Sequence, residues 1–584
     1  MNGLSKSHQQ HAGELFVQRM RKVPSRVSAS LVDAIHDQMP SPLVEFYRGL
    51  RCLPLGTLDA QGRPWATLLC NPETTAPTSE RLRLRARVNV DDPFIEAVLS
   101  PTPSARLFAG VAIDFAQRTR VRLGGVVDAA TLDPADTLTL ELRANEHMGN
   151  CPKYITVRQL RPLRRTPRTT ALANTLSPAA VELPQRASTL FVATRHVDRD
   201  PRETDMGFNH RGGPPGFLRS FEDERGAHLV LPDYSGNRFY QSLGNVESDP
   251  VMGLAVPDFE TGALLQVTGR ARNLFYDDAS RLMPGATLVT VLSVDEAYLT
   301  DGALDLELVG AEQLSPYNPR SRPLAHELPS DRKELDLKAT LIDITAESRR
   351  ISTFTFALSE PAEVVPGGHA IFDFSDQVKT GYQHMNSLYP QSLNDDHVRA
   401  FTVSKLSPDR RQLSITVKKA GLVSGYLHAL SSRRDPPVEV SLKGFGGTFT
   451  CFEQGHALPH MLWVAGGVGI TPFLAMYRAL RDSGRPLPEI ELFYACRQDE
   501  IELIRELTDL EVRVFDSKAL VQPAAVERRQ FHRRRLTQAD FQDLPLLERA
   551  TVFVCGPPGF TADVTAWLEP RVDPSRLRFE RFGY

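Results

Sequence analysis

Residues 461–480, MLWVAGGVGITPFLAMYRAL, constrain the architecture more than any other stretch. Met461 to Ala465 form the kind of apolar run found in a strand covered on both faces. The run breaks into Gly466, Gly467, Val468 and Gly469, where missing side chains let the backbone turn sharply and approach a ligand. Thr471 reads as an N-cap and Pro472 as the first helical residue, with Phe473, Leu474, Met476, Tyr477 and Leu480 as an apolar stripe. Strand, glycine turn and helix N-terminus form a pyrophosphate cradle, because N–H groups and the helix dipole face the anion. Alone, such a turn also occurs as an ordinary βα connection, so its meaning rests on the rest of the chain.

A chain of 584 residues is too long for one core and implies about three or four domains. A net charge of −3 gives no basis for nucleic-acid or membrane-surface binding. The six cysteines (Cys52, Cys70, Cys151, Cys451, Cys496 and Cys555) are scattered, with neither metal-site nor disulfide-framework spacing. The N-terminus lacks the apolar core of a signal peptide, and no run of about 18 apolar residues occurs. The expectation is a cytoplasmic, reduced protein with no metal and no membrane segment.

In chain order, residues 12–50 read as helical, with Leu15, Phe16, Met20, Val27, Leu31, Ile35, Leu43, Phe46 and Leu50 as the buried face. A β-hairpin follows at residues 52–69, then further short strands to about residue 159. Residues 161–186, rich in Arg, Pro, Thr and Ala, have no sustained period and mark a boundary. A second β-rich region runs from residue 188 to about 312. Residues 107–127 and 251–271 each give a short strand, an Asp-Phe pair (Asp114-Phe115, Asp258-Phe259), a polar turn, a second strand and a glycine. This repeat implies two related β-barrel halves, 12–160 and 187–312, packed as an intramolecular pseudo-dimer.

Four segments, residues 150–155, 210–217, 232–245 and 265–270, resemble the pyridoxamine 5′-phosphate oxidase-like flavin-binding split barrels. That resemblance implies FMN at the junction of the halves, held by Arg211, Gly212, Asn237, Arg238, Ser242, Gln266 and Arg270. Arginines suit a phosphate and glycines permit close backbone approach. The other reading of residues 233–238 is a hairpin turn with surface arginines. No side chain marks itself as a proton donor for pyridoxamine oxidation, so that activity is not carried over.

A proline-rich linker, residues 315–329, leads to six short alternating strands over 333–450, a pattern for a small antiparallel β-barrel. On the strand Arg399-Ala-Phe-Thr-Val-Ser404, Arg399, Phe401 and Val403 share one face, placing a cation beside an aromatic. The turn at residues 419–424 precedes a helix expected from Gly425, a second anion site. Beyond residue 459, helices alternate with strands at 491–496, 511–515 and 551–555, the pattern of an open parallel sheet.

Arg399–Ser404, Gly421–Ser424, Gly466–Pro472 and Cys555-Gly-Pro-Pro-Gly559, in this order, resemble the ferredoxin–NADP reductase superfamily. The resemblance implies an FAD-binding β-barrel at 333–450 and an NAD(P)-binding α/β domain at 459–584. It places FAD on Arg399, Ala400, Phe401, Thr402, Ser404, Val417, Gly421, Val423 and Ser424. NADPH or NADH falls to Gly466, Gly467, Gly469, Thr471, Pro472, Arg497, Gly556 and Pro557. It makes Cys555, Glu580 and Ser404 the catalytic-site residues, with Phe582 or Tyr584 covering the flavin face that nicotinamide reaches. Phe401 stands where relatives commonly carry Tyr, losing a hydroxyl. The insert at 376–397 is either a lid on the flavin or a variable loop, and the basic run at 528–535 either docks an acidic partner or is a solvated loop.

The fold expected is multidomain: duplicated split barrels, an antiparallel β-barrel, then an α/β parallel sheet. The function expected is an NAD(P)H-dependent flavin oxidoreductase passing electrons from FAD to a second flavin or to a small-molecule or protein acceptor. The alternatives are a single-FAD reductase whose N-terminal half is a binding scaffold, and a split barrel holding haem or another ligand. NADH versus NADPH and the oligomeric state stay open.

Overall fold

The computed structural model describes residues 10–24, 35–39, 41–100, 106–197, 205–328, 337–378, 383–430, 438–518 and 528–581. They form two compact units: Met1–Leu328 with Tyr382–Asp395, and Pro329–Gly381 with Asp396–Tyr584. No described helix is long and apolar enough to cross a membrane.

In the first unit, strands β1 (Cys52–Leu58), β2 (Pro64–Cys70), β3 (Glu73–Thr78), β4 (Arg81–Arg87), β5 (Leu107–Asp114), β6 (Thr119–Leu132) and β7 (Thr137–Asn150) form one sheet. Its order is β2-β1-β5-β6-β7-β4-β3. After β8 (Leu160–Pro162) and β9 (Arg168–Leu172) come β10 (Thr189–His196), β11 (Asp205–Gly212), β12 (Arg219–Asp223), β13 (Gly226–Pro232), β14 (Val251–Pro257), β15 (Leu264–Phe275) and β16 (Leu288–Asp301). This sheet runs β11-β10-β14-β15-β16-β13-β12, with β9 beside β16, while β17 (Leu306–Leu308) pairs with β8.

Adding nine to each label of the first order gives the second. The registers agree as well. Ile113 faces Arg120 as Pro257 faces Leu264, and Val111 faces Arg122 as Ala255 faces Gln266.

The repeated Asp-Phe pairs have one job in each sheet. Asp114 Oδ1 accepts from the N–H groups of Ala116 and Gln117, and Asp258 Oδ1 from those of Glu260 and Thr261, closing the same turn twice. The two phenylalanines then meet edge to face, with Phe115 and Phe259 centroids 5.3 Å apart. The Arg158 guanidinium lies over both, 5.2 Å from Phe115 and 4.9 Å from Phe259. Around them one apolar cluster draws on both sheets, from Leu58 and Val111 to Phe191 and Phe208.

Two expectations change here. Among the described residues the N-terminal segment is helical at Ala12–Met20 and Ser41–Arg48, and Val27 and Leu31 lie outside the described residues. Leu15 and Phe16 are exposed, whereas Glu14, Val17 and Gln18 are buried. The packing partner decides this: Gly13 abuts Gly244, so closely that a Cβ on Gly13 would lie 2.1 Å from the Gly244 carbonyl oxygen. The presumed linker also contains β9, ordered by pairing with β16, and a helix, Pro178–Arg186, capped by the Ser177 side chain with proline at its first position.

Burial of Glu14 pushes its carboxyl from the ordinary 4.5 up to about 8. Between those values the unfolded chain ionises there while the folded chain stays protonated, so stability falls as pH rises through the window. We expect the thermal midpoint of this unit to drop between about pH 5 and pH 8, and Glu14→Gln to flatten that slope in a thermal-shift series. An unchanged slope in the variant would show that another group governs it.

In the second unit, β18 (Leu337–Ala346), β19 (Ile351–Leu358), β20 (His369–Asp373), β21 (Val398–Leu406), β22 (Gln412–Lys418) and β23 (Glu439–Gly446) close a barrel in the order β18-β19-β22-β21-β20-β23. A two-residue pair, β24 (Phe452–Glu453) and β25 (His456–Ala457), precedes a parallel sheet. Its strands are β26 (His460–Gly466), β27 (Glu489–Ala495), β28 (Glu511–Phe515), β29 (Arg529–His532), β30 (Thr551–Gly556) and β31 (Leu577–Arg581), ordered β29-β28-β27-β26-β30-β31. Met461, Trp463 and Ala465 enter one apolar cluster and Leu462 and Val464 another, so β26 is covered on both faces. Part of the basic run 528–535 is the edge strand β29 rather than a loop.

Candidate functional site

The strand order of the parallel sheet reverses between β26 and β30, and such a switch point opens a crevice at the strands' carboxyl ends. Gly466, Gly467, Gly469, Cys555, Gly556 and Glu580 converge there, since β26 pairs with β30 and β30 with β31. Gly467, at φ +55°, takes the left-handed conformation that glycine adopts without strain. The other two glycines of the turn make room for protein atoms. A Cβ on Gly466 would lie 2.9 Å from the Phe560 ring, and one on Gly469 only 2.5 Å from the Cys555 carbonyl oxygen.

The helix begins at Thr471, with Pro472 second. Thr471 is therefore not the cap. A 3₁₀ turn over Gly467–Ile470 takes that place, and the Thr471 hydroxyl donates to the Val468 carbonyl at 3.1 Å. Pro557 caps the helix Pro558–Leu568.

Cys555 and Glu580 are ladder partners. Burial, then the charge of Glu580, holds the Cys555 thiol well above its ordinary value, and burial raises the Glu580 carboxyl. A protonated, inaccessible thiol suits positioning rather than nucleophilic attack. Arg497 lines a shallow groove with Gln498, Asp499, Asp516 and Lys518. Lys418 on β22, unremarked in the sequence, bonds Glu500 at 2.6 Å, and Glu500 also accepts from the Arg497 N–H.

On the barrel, Arg399 Nη1 donates to the Val398 carbonyl at 2.9 Å and lies 3.7 Å from Asp396. Half-buried Phe401 packs edge-on against Phe372, Ala400 is exposed, and Thr402, Val417 and Val423 are buried. Ser404 is the barrel residue expected beside a flavin ring. It is buried, and its hydroxyl is committed to the Ser414 carbonyl and Thr416. The nearby helix is Leu422–Leu427, not one starting at Gly425, and Ser424 Oγ accepts from the N–H groups of Ala420 and Gly421. Open space remains above Gly421 and Gly425, where a Cβ would meet nothing within 4 Å. Phe582 and Tyr584 lie outside the described residues.

The first unit contains a second, strongly cationic cleft. It brings together Arg211, Gly212, Asn237, Arg238 and Ser242 with Arg120, Arg122, Lys153, Tyr154 and His210. Arg120 and Arg122 point the same way from β6, and their spacing of two on an apolar strand was the legible signal for them. Burial pulls the Arg120 guanidinium down only to about 10, so it stays charged. Burial and the neighbouring arginines hold His210 well below its ordinary value, so its ring is neutral. His210 Nδ1 lies 2.7 Å from Arg120 Nη1, which assigns the proton to Nε2.

Lys153 Nζ and the Tyr154 hydroxyl both donate to the Ser235 carbonyl at 2.7 Å. Residues 383–395 of the 376–397 insert belong to this unit, with Asn394 donating to the Tyr154 hydroxyl and accepting from the Ser235 N–H. Arg120 Nε, Arg211 Nε, His210 Nε2 and the Tyr234 hydroxyl are buried without a protein partner.

Gly212 is explained by packing, since a Cβ would fall 1.9 Å from the Tyr154 carbonyl oxygen. Gln266 and Arg270 are not in this cleft. Gln266 is buried elsewhere, donating to Asp92 and to the Ala66 carbonyl, and Arg270 is exposed on β15.

Residues 463–566 match the family model for the oxidoreductase NAD-binding domain. The 2-halobenzoate 1,2-dioxygenase electron transfer component of Burkholderia cepacia is 26% identical over 190 residues, covering 32% of this chain and 54% of that protein. A flavohemoprotein of Deinococcus radiodurans is 32% identical over 195 residues, covering 32% of this chain and 47% of that protein. Among solved structures, the flavohem-like FAD/NAD binding domain of nitric oxide dioxygenase from Vibrio cholerae is 20% identical with a TM-score of 0.33, covering 43% of this chain and 100% of that one. The chain thus spans about half the length of the curated relatives it matches. Residues 463–566 thus carry an oxidoreductase NAD-binding domain.

Proposed function

We propose that the chain is an NAD(P)H-dependent flavoprotein oxidoreductase that binds FAD on the barrel and FMN in the N-terminal cleft, and hands electrons to a small-molecule or protein acceptor. The cofactors supply the redox chemistry when bound: nicotinamide donates hydride, and flavins accept and pass on electrons.

The chain's own residues bind, orient and exclude water. Gly466, Gly467 and Gly469 present the turn on which a dinucleotide pyrophosphate rests, ahead of the helix at Thr471. Arg497 lies at the groove suited to the adenosine end. Cys555 would lie at the nicotinamide position, with Glu580, its carboxyl raised by burial, across the ladder from it. Arg399 pairs with the FAD pyrophosphate, Phe401 offers a surface for the flavin, and the open space at Gly421 admits a phosphate.

The observation that carries the FMN half is the set of orphaned donors in the cationic cleft. Buried donors without acceptors cost about 1–3 kcal/mol each, and a phosphate dianion meeting Arg120, Arg211 and His210 removes that cost. The matching strand orders support reading this unit as a duplicated split barrel, with the cleft where its halves meet.

Flavin extraction from the purified full-length chain, with NADH and NADPH oxidation assayed against ferricyanide, tests the proposal. Both FAD and FMN with turnover are expected. FAD without FMN would leave the N-terminal unit as a binding scaffold, and no flavin with no turnover would end the whole reading.

A further inference from the structure

The two sheets of the N-terminal unit create two equivalent clefts, and only one retains the chemistry for a phosphate. Register alone pairs their positions. Arg120 corresponds to Leu264 and Arg122 to Gln266, through the matching ladders of β5–β6 and β14–β15. In β2 and β11, Leu55 faces Thr67 as Val192 faces Asn209, while Gly56 meets Ala109 as Ala193 meets Gly253. Stepping along these strands, His210 corresponds to Leu68 and Arg211 to Leu69. Counting forward from the equivalent pair Asn150 and Thr300, Lys153 corresponds to Ala303. Each of these cationic or donor positions is neutral in the second cleft, and four are Leu or Ala.

The second cleft has also been closed from within. Asp92 caps the helix Pro93–Leu99 through the Phe94 N–H at 2.8 Å, accepts from Gln266 Nε2 at 2.8 Å and takes the Thr67 hydroxyl. Arg87 is spent on Asp305 at 3.0 Å, and Asp305 also accepts from the Arg165 N–H. Asn89 bonds Thr169 of β9, the strand laid alongside β16. The lining therefore has one arginine against two carboxylates, where the first cleft has five cationic side chains against one carboxylate. Its volume is about 30 Å³ against about 80 Å³.

We propose that the N-terminal unit binds one phosphorylated flavin per chain, in the Arg120–Arg211 cleft alone, and that its counterpart has become a closed joint between the sheets. This rests on the proposed flavin function. A protein assembled from two identical halves would offer two equal clefts. Here duplication within one chain let the halves diverge, with one cleft keeping its charge and the other exchanging ligand contacts for internal hydrogen bonds.

The test is flavin stoichiometry of the full-length chain, by acid release and chromatography, with titration of FMN and of riboflavin, which lacks the phosphate, into the FMN-depleted protein. One FMN per chain is expected, with riboflavin bound at least about tenfold more weakly. Arg120→Gln and the less buried Arg211→Gln should each weaken FMN about tenfold while FAD content stays unchanged, which reports that the chain is folded. Asp92→Asn should leave FMN affinity unaltered. Two FMN per chain, or one FMN that is insensitive to both arginine variants, would overturn the inference while leaving the flavin function standing. An N-terminal unit that takes up no FMN would overturn the inference together with the FMN half of the proposed function.

Discussion

Gly469→Ala is expected to reduce NAD(P)H oxidation by about 100-fold while FAD remains bound, because a displacement of ~1 Å at a reacting centre costs that much. The added Cβ would lie 2.5 Å from the Cys555 carbonyl oxygen and 2.8 Å from Gly556 Cα, both backbone atoms that no side-chain rotation can move. The turn must retreat from the end of β30, taking with it the nucleotide cradle and the spacing to Cys555. The proposed FAD contacts lie on the barrel and its Leu422–Leu427 helix and are not part of that turn. Stopped-flow reduction of the flavin by NADH and NADPH, beside flavin content, separates the two effects. Wild-type reduction rates in the variant would mean that the glycine turn is not the nucleotide site.

The second large effect is on stability. Arg158→Ala is expected to destabilise the N-terminal unit by about 3 kcal/mol, lowering its thermal midpoint by roughly 6 °C. Arg158 is nearly fully buried and bonds Glu312 at 2.6 Å, Thr189 Oγ1 at 2.8 Å and Ser188 Oγ at 2.5 Å, while covering Phe115 and Phe259. Glu312 keeps 26% of its side chain exposed, so water can solvate it after the change, which holds the loss below that of a fully buried pair. Arg158→Lys retains the charge but not the planar fork, and should recover less than half of the loss. Thermal unfolding followed by near-ultraviolet dichroism is the measurement, and an unmoved midpoint in Arg158→Ala would refute the role.

Legibility differed between the two halves for a physical reason. In the parallel sheet, strand, turn and helix are consecutive, so the residues that make the crevice announce themselves locally. Even there the packing adds what the motif does not state: Gly466 and Gly469 make room for Phe560 and Cys555, and the Ser404 hydroxyl bonds inside the barrel wall. In the N-terminal unit the cleft draws on β6, the segment after β7, β11 and the loop before Gln241, residues up to about 120 positions apart. No local motif joins them. Arg211 and Arg238 were readable beside glycines and turns, and the spacing of Arg120 and Arg122 put both on one face, but these residues and His210 share a site only when the strands pair.

The sequence by itself determined the alternation of elements, the apolar strand entering the Gly466 turn, the order of motifs in the reductase-like half and the repeated Asp-Phe pairs. These are properties of adjacent residues, set by periodicity, backbone freedom and short-range hydrogen bonding. Only the tertiary structure decided which glycines accommodate protein atoms, which arginines share a cleft, and that Gln266 and Arg211 serve different clefts. Those outcomes depend on ladder register and on the burial of charge, energies that exist only once distant strands have been brought together.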